Sequence, residues 1–221
     1  MFPKAPDHMF SLRDKTVNSF GYDTHGDVEY SFNSLGYRST RQFDKDAESI
    51  CVFGNTISFG LGVAFENTYA ELVSKQTGIP AFNFSWGCHG HTNLEQLDLI
   101  EHVLDAHKPR YVIFQINNLD RVRINKTSVS TQNSIDKIKE NHDVFIKRLQ
   151  STFSNVKHCF LYWDDKEHNL PMPDCLIDNR YFIESKIAYH DNEGKKIPVM
   201  DSKSHKIVSL KILDNIKDIY G

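Results

Sequence analysis

From Ser49 onward the chain alternates short, mostly apolar runs with longer stretches whose apolar residues recur every three or four positions. Ile50-Cys51-Val52-Phe53 is apolar throughout and stops at Gly54, which predicts a strand buried on both faces. Residues 79–84, 111–116 and 156–163 are mostly apolar, broken by polar residues such as Asn83, Gln115 and Lys157, and predict three further strands. Between them, residues 68–76 carry helical spacing and meet Gly78, a C-cap candidate. Residues 93–107 set Leu94, Leu97, Ile100, Val103 and Leu104 on one helical face. Residues 134–153 predict a long amphipathic helix, and residues 204–220 a closing one with Ile207, Leu210, Leu213 and Ile216 turned inward. Strands alternating with helices of this length call for an α/β fold, a parallel sheet with right-handed crossovers and helices on both faces. Residues 1–48 are polar, aromatic and irregular, too short to own a core, and are expected to wrap as an extension on a domain of residues 49–221. Within them Tyr30 to Ser39 alternates and predicts a short strand before a turn at Gly36.

Composition narrows the function classes. The formal net charge is −3 and the cations are scattered, which argues against a nucleic-acid surface. Without an apolar run of about 18 residues no spanning helix is expected. The amino terminus lacks an apolar core behind a basic start, so no secretory signal is expected and the cytoplasm is the expected location. The four cysteines (Cys51, Cys88, Cys159, Cys175) form no CxxC. Cys51 and Cys159 sit in strand-like runs and read as buried free thiols, and neither a metal site nor a cofactor is expected.

In parallel α/β sheets ligands sit at the carboxyl ends of the strands, and three such loops carry specific chemistry. Gly54-Asn55-Thr56-Ile57-Ser58-Phe59-Gly60-Leu61-Gly62-Val63 places a hydroxyl on a sharp strand-to-helix turn, with N–H groups facing a developing oxyanion. The loop from Ser85 to Thr92 carries Gly87 and Gly90, which allow close backbone approach. Gln115-Ile116-Asn117-Asn118 supplies side-chain amides at a strand end. Residues 163–179, polar and proline-containing, are expected as an irregular flap over the same edge.

These blocks resemble the SGNH/GDSL hydrolase family. GNTISFGLGV resembles the family's first block, GDSxTxGxGV; Gly90-His91-Thr92 resembles the second; Gln115 to Asn118 resembles the third, GxND. The YSFNSLGYRS segment resembles the FNSLGFR-type stretch ahead of the first block in some members. The resemblance runs from about Tyr30 to Arg121 and implies a three-layer α/β/α fold with a flavodoxin-like parallel sheet of about five strands. It also implies Thr56 at the nucleophile position, with the Gly90 N–H and Asn117 amide as oxyanion donors. The departures are Asn55 for the first-block aspartate, Thr56 for its serine, Gln115 for the third-block glycine and Asn118 for its aspartate. The DxxH signature before the last helix is absent; Asp201 and His205 stand at DxxxH spacing, and the family's catalytic histidine position falls on Val199.

For each candidate a plainer role stands beside the catalytic one. Thr56 reads as a nucleophile hindered by its methyl, or as the cap of the following helix. His205, with Asp201, reads as a base in altered geometry or as an ordinary helix-start histidine. His89 and His91 flank Gly90 and are the first imidazoles to test as substitute bases. His190-Asp191, on a polar stretch of residues 189–196 that reads as a loop, and Asp165 to His168 are weaker pairs, and Asp120-Arg121 reads as a surface ion pair. Trp86 and Trp163 read as sugar-stacking rings or rim packing. The implied function is ester hydrolysis, at best weak or altered, on a small acyl ester or acylated carbohydrate; the alternative is an inactive pseudo-hydrolase that keeps the pocket.

Overall fold

The computed structural model describes residues 3–20, 27–86, 91–117, 121–124, 127–130, 135–162, 176–178, 187–190 and 196–220. In chain order the first elements are the short helix α1 (Asp7–Phe10) and strands β1 (Thr16–Phe20) and β2 (Asp27–Ser31), which pair antiparallel. Next come β3 (Ile50–Phe53), α2 (Thr56–Phe59), a 3₁₀ turn (Phe65–Asn67), α3 (Tyr69–Thr77), β4 (Ala81–Asn83), α4 (Asn93–Ala106) and β5 (Tyr111–Ile116). The second half holds the hairpin β6 (Arg121–Ile124) and β7 (Thr127–Ser130), then α5 (Ile135–Thr152), β8 (His158–Tyr162) and β9 (Leu176–Asp178). A hairpin of β10 (Ile187–His190) and β11 (Lys196–Val199) precedes α6 (Ser202–Asn215) and α7 (Lys217–Tyr220).

Five strands form one parallel sheet in the order β4-β3-β5-β8-β9. Numbered along the chain within that sheet, this is 2-1-3-4-5, the flavodoxin-like winding, whose switch point lies between β3 and β5. Side chains alternate across the sheet with period two. Ile50 and Val52, Tyr111 and Ile113, and Cys159 and Leu161 enter one core with Tyr69, Val73, Val208 and Ile212, so α3 and α6 cover that face. Cys51 and Phe53, Val112, Phe114 and Ile116, and Phe160 and Tyr162 enter the other with Leu97, Ile100, Phe145 and Leu149, so α4 and α5 cover it. The result is a three-layer α/β/α architecture with a flavodoxin-like parallel sheet.

Local chemistry explains the helix ends. Thr68 caps α3 by accepting from Glu71 N, and Gly78 ends it in the left-handed region at φ 72°. Thr92 and Glu95 form a capping box on α4, and Asp201 caps α6 by accepting from Ser204 N at 2.8 Å.

The amino-terminal segment contributes Met9, Val28, Tyr30, Phe32 and Tyr37 to the core beneath α4 and α5. Its turn stands where the alternation puts it, with Gly36 at φ 82° and a bridge between Phe32 and Arg38. Two expectations need correction. Residues 176–178 of the expected flap form β9 at the sheet edge, and the rest of 163–179 lies outside the described residues. The polar stretch 189–196, read as a loop, has His190 and Lys196 paired in the β10–β11 hairpin, with 191–195 outside the described residues. Among the described residues no helix is long and apolar enough to cross a membrane.

Candidate active site

The turn after β3 is built around Gly54. A Cβ there would lie 2.3 Å from Ser58 Oγ and 2.8 Å from Gln115 Cβ, so only glycine fits. Ser58 Oγ donates to Gln115 Oε1, and Gln96 Nε2 and Trp86 N donate to the Gly54 carbonyl at 3.1 and 3.2 Å. Gln115 therefore fills the space beneath the turn.

Asn55 is the N-cap of α2, its Oδ1 accepting from Ile57 N at 2.9 Å. That corrects the capping role considered for Thr56, which is the first helical residue. Thr56 is half-buried, and among the described residues its hydroxyl makes no hydrogen bond. Asn55 Nδ2 donates to Asn117 Oδ1 at 2.5 Å, joining the ends of β3 and β5 across the switch point.

Asn117 is held from every side. Its N–H donates to Asn93 Oδ1 at 2.7 Å, its carbonyl accepts from Asn93 Nδ2 at 3.1 Å, and its Nδ2 donates to the His91 carbonyl at 3.1 Å. An amide nitrogen carries two hydrogens, so one Nδ2 hydrogen of Asn117 is left for another acceptor. His91 packs edge-on against Trp86, ring centroids 3.8 Å apart, and its Nδ1 lies 3.7 Å from Glu95 Oε2.

The structure does not bring Asp201 and His205 to this turn as an acid–base pair. The Asp201 carboxylate is spent on the α6 cap. His205 is 0% exposed, stacks on Tyr69 at 5.5 Å, and accepts from Tyr69 N at 3.1 Å through Nδ1. Burial, reinforced by the charge of Arg38, pulls its pKa down to about 3, which makes it a poor proton acceptor. None of the imidazoles described (His91, His102, His107, His142, His158, His205) hydrogen-bonds the Thr56 hydroxyl. Gly90, Asn118, His89, Trp163, Asp165, His168, Asp191 and Asp120 lie outside the described residues.

A cavity of about 600 Å³ opens at the other end of the strands, lined by residues 45–48 and 105–108 with Arg110. Its charges pair among themselves, Lys45 with Asp46 and Arg110 with Glu48. Its buried His107 is held by Ser49 Oγ at 2.6 Å and the Lys45 carbonyl. The switch point at the carboxyl ends is the better candidate site.

Asn93, Gln96 and the Ser58–Gln115 pair were not legible as site-building residues, because each is a polar side chain on a helix or strand whose partner lies 24 to 57 residues away. Arg38 was missed for the same reason. A single arginine amid the apolar and turn residues of FNSLGYR was the available signal.

The winding order and the polar loops at the carboxyl ends of the strands define the class, a flavodoxin-like α/β protein, and its sequence blocks resemble those of SGNH/GDSL hydrolases. No protein-family model matches the chain, and no curated protein matches it. Solved structures similar to it include TesA, at 14% identity and TM-score 0.49, covering 77% of this chain and 99% of that one. A carbohydrate esterase family 2 enzyme with a carbohydrate-binding domain from Corynascus thermopiles aligns at 11% identity and TM-score 0.45, over 81% of this chain and 70% of that one. The acetyl xylan esterase Est2A from Butyrivibrio proteoclasticus aligns at 11% identity and TM-score 0.45, over 80% and 66%.

Proposed function

We propose that this chain is a divergent SGNH/GDSL-type protein whose switch-point site holds a small acyl ester or acylated carbohydrate on neutral amide donors, with Thr56 as nucleophile of, at best, slow hydrolysis. The observation that carries the reading is the Asn55–Asn117 amide pair beside an uncommitted Thr56 hydroxyl. In this reading Thr56 Oγ1 attacks the ester carbonyl. The oxyanion takes N–H donation from Gly90 and from the remaining Asn117 Nδ2 hydrogen, the alkoxide leaves with the proton given up by Thr56, and water then hydrolyses the acyl–Thr56 ester to release the acid. What limits the rate is the base. A triad stripped of its general base retains only about 10³–10⁴-fold catalysis over water, from oxyanion stabilisation and binding. His91, whose carbonyl accepts from Asn117 Nδ2 and whose Nδ1 lies 3.7 Å from Glu95 Oε2, is the first imidazole to test as acceptor of the Thr56 proton.

The second reading, a pseudo-hydrolase that binds without turnover, is favoured by Asn55, a neutral cap where the family carries a carboxylate. Hydrolysis of p-nitrophenyl acetate separates the two. Slow turnover above the buffer rate that disappears in Thr56→Ala, drops in His91→Ala and survives in His205→Gln is expected. Wild-type protein no faster than buffer, with Thr56→Ser equally inert, overturns the hydrolase reading in favour of the pseudo-hydrolase.

A further inference from the structure

We infer that Arg38, contributed by the segment ahead of the sheet, is the positioning residue of the Thr56 turn. The inference deepens the reading of Thr56 given above and rests on it for the turnover measurement alone.

Arg38 is 1% exposed. Its Nη1 donates to the carbonyls of Phe59 at 3.0 Å and Gly60 at 2.5 Å, and its Nη2 to the carbonyl of Val63 at 2.7 Å. These acceptors are the carboxyl end of α2 and the loop that follows it. A four-residue helix cannot satisfy its own last carbonyls, and a cation complements that end of the peptide dipole. The loop is tied back to the nucleophile position, because Leu61 N donates to the Thr56 carbonyl at 3.2 Å and Gly60 N to that of Ile57 at 2.9 Å. A shift of the 60–61 backbone is therefore a shift of Thr56.

Tyr30 completes the device. The guanidinium carbon lies 4.2 Å from the Tyr30 ring centroid, and the Tyr30 hydroxyl accepts from Gly62 N at 2.6 Å. Two side chains of the amino-terminal segment thus satisfy three acceptors and one donor of a single loop. The glycines belong to the same arrangement. Gly60 and Gly62 are left-handed at φ 77° and 79°, and a Cβ on Gly60 would come 3.0 Å from Arg38 Nη1 and 2.5 Å from Thr68 Cγ2.

Attachment of the segment does not explain Arg38, because Arg41 serves that end. Arg41 forms a bidentate pair with Glu71 of α3 at 2.7 and 2.8 Å. Arg38 makes no ion pair among the described residues. Glu66 acts on it only through space, and a buried cation without a close ion pair is dearer to keep than an apolar residue of similar size, so its geometry is what it supplies. Lysine would bring the charge without the planar fork that spans three carbonyls.

Hydrogen exchange on the full-length chain tests this, comparing Arg38→Met, Arg38→Lys, Tyr30→Phe and Arg41→Met. Any global loss of stability is read from the β5 amides. In Arg38→Met the amides of residues 60–63 should exchange at least ten-fold faster than that global change, with Arg38→Lys intermediate. Tyr30→Phe should release Gly62 alone, and Arg41→Met should speed all amides by one common factor. If Arg38→Met does not fold, Arg38→Lys and Tyr30→Phe decide the matter. Loop amides that change only in step with β5, or not at all, overturn the proposal. With p-nitrophenyl acetate, Arg38→Lys should lower kcat and leave KM unchanged. A wild type without turnover refutes Thr56 as nucleophile and leaves exchange to decide Arg38.

Discussion

Replacing His205 with glutamine should remove a specific pH dependence from the stability of the fold. His205 is fully enclosed between α3 and α6, stays neutral there, and takes a proton only near pH 3 because of burial and the charge of Arg38. In the unfolded chain an imidazole is protonated near pH 6.5. Between those values the unfolded state binds more protons, so stability is complete above about pH 6.5 and is lost as the pH falls. At pH 5 the gap from 6.5 is about 1.5 units, which at 1.36 kcal/mol per unit is about 2 kcal/mol. Glutamine keeps an acceptor for Tyr69 N and cannot titrate. Urea denaturation of both proteins at pH 8, 6.5, 5.5 and 5 should show the wild type losing about 2 kcal/mol more than His205→Gln across that range. Carboxylates titrate equally in the two chains and cancel in the comparison. Parallel stability curves would refute the enclosure of His205 and reopen its candidacy as a base.

Two smaller perturbations probe the turn itself. Gly54→Ala forces a methyl onto Ser58 and Gln115 and should destabilise by about 1–3 kcal/mol in thermal or urea melts, whereas an unchanged midpoint would mean those side chains do not press on the turn. Asn55→Ala removes the α2 cap, at about 1 kcal/mol, and leaves Asn117 Oδ1 without its donor. The side-chain amide resonances of Asn117 should move in that variant, and resonances that stay in place would contradict the pairing.

The sheet was legible because its strands are predominantly apolar. Ile50 to Phe53 and Tyr111 to Ile116 have the bounds the apolar runs predict, since burial on both faces favours apolar residues and admits Gln115 only with a partner in Ser58. The hairpins β6–β7 and β10–β11 were not legible, because their strands are four residues long and alternation such as that of Arg121 to Ile124 is too brief to stand out. Asn117 could be found at the site because motif and strand end coincide. The role of Asn55 as cap was hidden behind Thr56, an equally good capping type one residue later. His205 looked like chemistry because an imidazole followed an aspartate near the last helix. Only the third dimension reveals that its ring faces Tyr69.

Three long-range contacts of the fold differ in how much chain they must close. Arg38 reaches its carbonyls across 21 to 25 residues, Asn55 meets Asn117 across 62, and Tyr69 meets His205 across 136. Loop closure grows with the logarithm of length, so the last contact costs about 1.5 kcal/mol more chain entropy than the first. During synthesis, the Arg38 clamp and its loop can meet once roughly the first third of the polypeptide has emerged. The amide pair needs β5, and the enclosing histidine needs α6. The loop after α2 can thus take its shape early, and the rest of the sheet closes around it.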